Sequence, residues 1–309
     1  MRIIIFIFSA LLSLSACASL PEQTKPQPRP VDLTPTGPSA ASRQVATYYA
    51  SVQTRLLARG RLRQETHPSD APYTTKNLVE NFERVALFDE YSERGGKFIE
   101  RQTASNLRRW ERPVRIALHF GPSVSKDQRA IDTAYVRSFA TRLARLSGLD
   151  IQLTDAKHAN FSLLFLNRDE QRDYAPVLVG QVKYLVPQIS QEIQNSPRGI
   201  FCVAYAVSDR NSLTGYKGAI ILIKGEHRGL MRKSCIQEEM TQALGLANDS
   251  PEARPSIFND DEEFALLTRH DELLLRMLYD PRLKIGMTVK DAHPIIQQIA
   301  QELTTAKRS

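Results

Sequence analysis

Apolar positions along this chain recur at two spacings, three to four residues apart and two apart, and the switches between them predict where helices give way to strands. From 43 to 63, Tyr48, Tyr49, Val52, Leu56 and Leu57 fall at helical spacing beside Arg55, Arg59, Arg61 and Arg63, which predicts a packed amphipathic helix. Asn77 to Glu93 predicts a second helix, with Leu78, Phe82, Val85, Ala86 and Tyr91 on one side, ended by Gly95-Gly96 and packed outside the main core. Val114 to Phe120 alternates and predicts a strand. Asp127 to Leu146 predicts a long helix that packs through Ile131, Tyr135, Phe139 and Leu143. Ile151 to Leu153 and Phe161 to Leu166 predict two more strands, the second apolar enough to be central. Phe201 to Val207 and Ala219 to Ile223 complete a mixed sheet, and Thr288 to Leu303 closes with an amphipathic helix using Ile295, Ile296, Ile299 and Leu303. The class is α+β.

The stretch Cys235 to Asp249, CIQEEMTQALGLAND, carries the densest pattern. Ile236, Met240, Ala243 and Leu244 make an apolar stripe, while Cys235, Glu238, Glu239 and Gln242 fall on another side, one face for a core and one for a cleft. Ser234 with Gln237 predicts a capping box at its start, and Gly245 a left-handed stop after Leu244.

This pattern resembles the active-site helix of the metzincin-type zinc peptidases, H-E-x-x-H-x-x-G-x-x-H. Laid on that motif, Glu238 stands at the first His, Glu239 at the general-base Glu, Gln242 at the second His, Gly245 at the Gly and Asn248 at the third ligand. No zinc-binding imidazole survives. Pro255-Ser256-Ile257-Phe258-Asn259 resembles the family's Met-turn with Phe258 in place of Met, and Leu267-Thr268, Asp271 and Leu278-Tyr279 resemble its closing helix. The whole chain also resembles a proteobacterial family of lipoproteins of unknown function. The resemblance implies a zincin-like mixed sheet with packed helices over roughly residues 114 to 281, and an edge strand that pairs with an extended ligand.

The start of the chain changes the picture. Ile3 to Leu14 is apolar but too short to span a bilayer, and it runs into Leu14-Ser15-Ala16-Cys17, which resembles a bacterial lipobox. Residues 1–16 then read as a cleaved lipoprotein signal, Cys17 as the acylated anchor, and 17–42, rich in proline, as an extended tether. A helical extension at 43–110, a metzincin-like domain at 111–282 and a C-terminal helix at 283–309 follow. Ala18 after Cys17 implies, by the same resemblance, the outer membrane at its periplasmic face. Export leaves Cys202 and Cys235 as one pair, read as a disulfide with two buried thiols as the alternative. The net charge of +7 is spread over the chain, which argues against nucleic acid as a partner.

Zinc hydrolysis needs three good ligands, an open position and a carboxylate base, and only the carboxylate is present. Gln242 and Asn248 offer amide oxygens, which suit calcium or magnesium better and bind weakly without carboxylates beside them. Asp249, Asp260, Asp261, Glu262 and Glu263 could supply those carboxylates, but Asn259 to Glu263 reads more simply as a solvated acidic turn that favours the positive end of the next helix. The histidines, His227 and His270 the nearest, share no helical face. No cofactor is expected. The first functional reading is a non-catalytic module whose cleft, with Glu238, Gln242, Asn248 and Asp249, binds a peptide or cell-envelope partner. An unorthodox peptidase using Glu239 as general base is the alternative, and a purely structural lipoprotein the third. The lipobox itself is testable: Cys17→Ser should release the protein from the membrane fraction, and retention at wild-type levels would refute acylation at that residue.

Overall fold

A computed structural model describes residues 37–94, 97–208 and 215–305, so the leader 1–16, Cys17 and most of the tether lie outside the described residues. In chain order, α1 (Ala40–Ala58) and α2 (Thr75–Ala86) lead to a hairpin of β1 (Phe88–Arg94) and β2 (Lys97–Ala104). There follow β3 (Val114–Phe120), α3 (Lys126–Ser147), β4 (Ile151–Leu153) and β5 (Phe161–Leu166). Three short helices, α4 (Arg168–Asp173), α5 (Ala175–Leu178) and α6 (Pro187–Asn195), precede β6 (Cys202–Val207) and β7 (Gly218–Lys224). Last come α7 (Gly229–Gln242), α8 (Arg269–Leu278) and α9 (Val289–Thr305). No helix among the described residues is long and apolar enough to cross a membrane.

Five strands pair in the order β4-β3-β5-β7-β6, all parallel except β6, which runs antiparallel to β7 at one edge. Every residue of β5 and β7 is buried. Side chains alternate across a strand, so Phe161, Leu163 and Phe165 join a core with α2, α3, α7, α8 and α9 on one face. Leu164 and Leu166 join Leu178, Ile189 and Ile193 of α5 and α6 on the other. Two covered faces explain why these strands read as unbroken apolar runs.

Several elements differ from the sequence reading. The second helix stops at Ala86, and Phe88 to Arg94 is a strand whose partner, Lys97 to Ala104, the sequence reading left unassigned. Two residues separate the register pair Arg94 and Lys97, and they are Gly95 and Gly96, a hairpin signal that outweighs the helical spacing. The helices over 168–195 were likewise unread. Far from packing outside the core, α2 buries Leu78, Phe82 and Val85 in the same cluster as the sheet, alongside Ile296 and Ile299 of α9. Ile131 does not pack; it is 59% exposed on α3, whose buried side runs instead through Asp132, Val136, Phe139 and Leu143.

Asp132 faces inward because it has a partner there. Its carboxylate takes two hydrogen bonds from Arg232 of α7, at 2.8 and 2.7 Å, and both side chains are only 3% exposed. The guanidinium also donates to the carbonyls of Gly225 and His227 and lies over the Phe165 ring. A buried pair is kept by its geometry, and removing one member strands the other charge in the core, at a cost of about 3–5 kcal/mol. Asp132→Ala should therefore lower the unfolding free energy by that much in a urea titration. A joint replacement of Asp132 by Leu and Arg232 by Met should recover most of it; a single-variant loss below about 1 kcal/mol would remove this pair as the anchor of α7.

Candidate functional site

The helix α7 begins earlier than its polar pattern suggests. It starts at Gly229, six residues before Cys235, and Ser234 lies inside it rather than capping it. The cap comes from elsewhere in the chain: Gln53 of α1 accepts a hydrogen bond from the Met231 amide at 3.0 Å. Gln237, freed from a capping role, donates to the Tyr135 hydroxyl and accepts from the Leu267 amide, joining α7 to α3 and to the turn before α8. At the other end, unsatisfied helical carbonyls find side chains. The Trp110 indole donates to Ala243 O at 2.8 Å and the Tyr279 hydroxyl to Leu244 O at 2.8 Å. Gly245 has φ +123°, a conformation side chains resist, and an added Cβ would lie 2.5 Å from the Arg108 carbonyl oxygen.

Along this fixed helix Ile236, Met240, Ala243 and Leu244 enter the core, while Glu238, Glu239 and Gln242 line a cleft of about 1600 Å³. The cleft runs along β6, between α7 and α6, and its rim is built from Ala247 to Asp249 and Asn259 to Glu262. Every β6 residue is half-buried, and among the described strands β6 pairs with β7 alone. Cys202 of β6 and Cys235 of α7 meet as a disulfide-capable pair, with Cα atoms 5.7 Å apart and sulfurs 2.12 Å apart. The pair fastens the sheet edge to the helix that faces it.

The sequence-derived residues share this cleft but do different things in it. Gln242 donates to Asp249 at 2.9 Å. Asn248 is 1% exposed and spends its amide nitrogen on the Arg84 carbonyl of α2. Ligand atoms of Cys202, Glu238 and Glu239 lie within 4.8 Å of one another. While its sulfur is bonded to Cys235, Cys202 offers no thiolate, and two carboxylates fall short of the ligand set zinc takes. His227 and His270 are fully buried; His227 meets the Phe201 carbonyl at 2.9 Å and His270 the Asn81 amide at 3.1 Å. Burial pushes the His227 imidazole down to about 4, so it stays neutral at physiological pH.

The acidic turn is more than a solvated loop. Glu263 bonds Arg254 and Arg63, Asp261 meets Arg61, and the Glu262 carbonyl accepts from the Leu62 amide at 2.8 Å, so the rim is strapped to the segment after α1. Glu192 and Tyr205 are among the cleft residues that escaped the sequence reading. Glu192 lies on α6, signalled by Pro187 at the helix start and by Ile189 and Ile193 four apart. Tyr205 lies on β6, where alternation says nothing about a hydroxyl. Its phenol is pushed well above the ordinary value by burial first, then by Glu192 and Glu239. At the rim, burial and then Asp261 and Asp260 raise the Glu262 carboxyl from 4.5 to about 7.

That last shift has a sign. A carboxyl whose folded pKa is raised stabilises the fold fully below its ordinary value and loses that contribution as pH rises through about 7. Glu262→Gln should thus match wild-type stability near pH 4.5 and exceed it by an amount that grows up to about pH 7 and levels off above it, in urea melts. A difference that stays constant over that window would mean Glu262 does not carry the shift.

Residues 75–298 match a family described as "Protein of unknown function (DUF2927)", and the chain belongs to it. Searches of curated proteins and of solved structures returned no match.

Proposed function

We propose that the cleft binds a peptide in extended conformation, added as a strand to β6, without zinc-dependent cleavage. The protein in this reading is an envelope lipoprotein, held through acyl chains on Cys17 at the periplasmic face of a bacterial outer membrane. The observation that carries the binding role is a sheet edge opening on a large cleft: β6 pairs with β7 alone among the described strands and lies along a space of about 1600 Å³. Strand addition supplies main-chain hydrogen bonds for affinity, and the walls supply specificity.

A metzincin-like frame is supported by the strand order, in which the one antiparallel strand lies at the edge and the next strand in sequence, β7, leads into α7. Phe258 sits fully buried in the Pro255 to Asn259 turn. Asp271, on the first turn of α8, accepts from Ser256 Oγ and from the amides of Ile257 and Thr268, which ties that turn to the closing helix. What supports binding over catalysis is the donor set. Glu239 is 4% exposed beside a sulfur already engaged with Cys235, and Gln242 and Asn248 offer only neutral amide oxygens where zinc takes imidazole or thiolate.

Elemental analysis of protein purified without chelator should find no stoichiometric zinc. Glu239→Gln should retain capture of a labelled extended peptide, because the main-chain bonds offered by β6 do not involve that side chain. Tightly bound zinc, or peptide hydrolysis abolished by Glu239→Gln, would replace this reading with a hydrolase that uses Glu239 as general base.

A further inference from the structure

A second cavity, of about 260 Å³, shares only Ser196 with the lining of the long cleft. It lies where β5 and β7 end, and the carboxyl ends of parallel strands are the end at which open α/β sheets take ligands. Val45 and Tyr49 of α1 line it together with Arg168 and Gln171 of α4. Lys224, the last residue of β7, and Glu226 just beyond it complete the inner part. Lys224 and Glu226 are each 2% exposed and Gln171 is fully buried, whereas Arg198, on the same lining, is open to solvent. The cavity therefore has a buried polar floor and a charged mouth.

Buried polar groups are normally paired, and on this floor several are not. An ammonium carries three donors, yet among the described residues Lys224 Nζ makes one hydrogen bond, to the Pro197 carbonyl at 2.6 Å. Burial, with Arg168 adding to it, pushes that amine down to about 8, so it is still mostly charged at neutral pH. Gln171 Nε2 donates to the Leu166 carbonyl at 3.0 Å, which leaves Oε1 as an acceptor with no hydrogen-bond partner. Ser196 Oγ has none either. Water would satisfy a donor or an acceptor, but it brings no opposite charge to a buried ammonium.

We propose that this cavity binds a free α-amino acid through its main-chain groups, the carboxylate at the Lys224 ammonium and the ammonium at Gln171 Oε1 and Ser196 Oγ. Neither group serves alone. A simple carboxylate leaves the Gln171 acceptor unmet, and a simple amine leaves Lys224 unmet while adding a like charge beside it. Arg168 and Arg198 add positive charge to the same lining and favour entry of the carboxylate. Pockets for drug-sized ligands begin near about 300 Å³, so a cavity of this size suits a molecule of a few heavy atoms.

The test is equilibrium dialysis of the full chain against radiolabelled glycine, which carries both main-chain groups and nothing else. Retention should saturate at one glycine per chain. Unlabelled acetate and methylamine, each holding one half of glycine, should displace it only at concentrations at least about tenfold above that of unlabelled glycine, since each lacks a charge-assisted contact. Lys224→Met, which keeps an unbranched chain in the core, should abolish retention, and Gln171→Met should weaken it several-fold. Arg198→Gln, at the exposed mouth, should also weaken it, and it keeps the test decisive should the two core variants fail to fold. Background retention would leave the cavity to water and overturn the proposal. Displacement by acetate or methylamine as readily as by glycine would overturn recognition of the zwitterion, and wild-type retention by Lys224→Met or by Arg198→Gln would overturn this location.

Discussion

Leu163 and Leu164 lie on opposite faces of β5 and are both fully buried, as are Ile221 and Leu222 on β7, so water reaches neither side of the sheet's centre. Backbone groups there bond only along the sheet, which leaves the sheet's outer strands as places where new pairing is possible. One outer strand, β4, is three residues long and pairs with β3. The other, β6, is twice that length, lies along the large cleft and is fixed to α7 near one end by the cysteine pair. The chemistry of the cleft therefore follows from how the middle of the sheet was closed off.

A strand edge is useful only if the wall opposite it holds still, and α7 is held at three levels. Near its start Arg232 is locked to Asp132 of α3, and Gln53 of α1 accepts from the Met231 amide. In its middle Cys235 meets the edge strand, and Gln237 bridges to Tyr135 and Leu267. At its end Trp110 and Tyr279 take the carbonyls of Ala243 and Leu244. Each of these partners lies 30 or more residues along the chain from the group it meets, so the position of the wall is a property of the whole core.

Legibility divided along the same line. Runs such as Phe161 to Leu166 and Ala219 to Ile223 announced central strands because burial on both faces demands apolar residues at every position. The stop at Gly245 was readable because few other residues tolerate its φ. The two faces of α7 were readable from 3.6-residue spacing, but its start was not, since the polar Arg232 and Ser234 interrupt the stripe and the residues that satisfy them are distant. Ile131 was misassigned for the converse reason: the inward position next to it goes to a charged residue, Asp132, whose partner lies 100 residues away. The hairpin of β1 and β2 was hidden by apolar positions that also fit a helix, with Gly95-Gly96 the better guide. Glu192 and Tyr205 acquire meaning only through proximity to Glu239, which no local pattern encodes.

Gathering carboxylates in one cleft costs repulsion, and the structure shows how part of that cost is met. Along the outer rim Arg61, Arg63 and Arg254 neutralise Asp261 and Glu263, which also straps the rim in place. On the inner side burial raises the carboxyl of Glu262, with Asp261 and Asp260 adding to the shift, and burial raises the phenol of Tyr205, with Glu192 and Glu239 adding to it. The anchoring of α7 and the strapping of the rim thus hold both walls of the cleft fixed beside β6, the strand whose outer edge meets no other described strand.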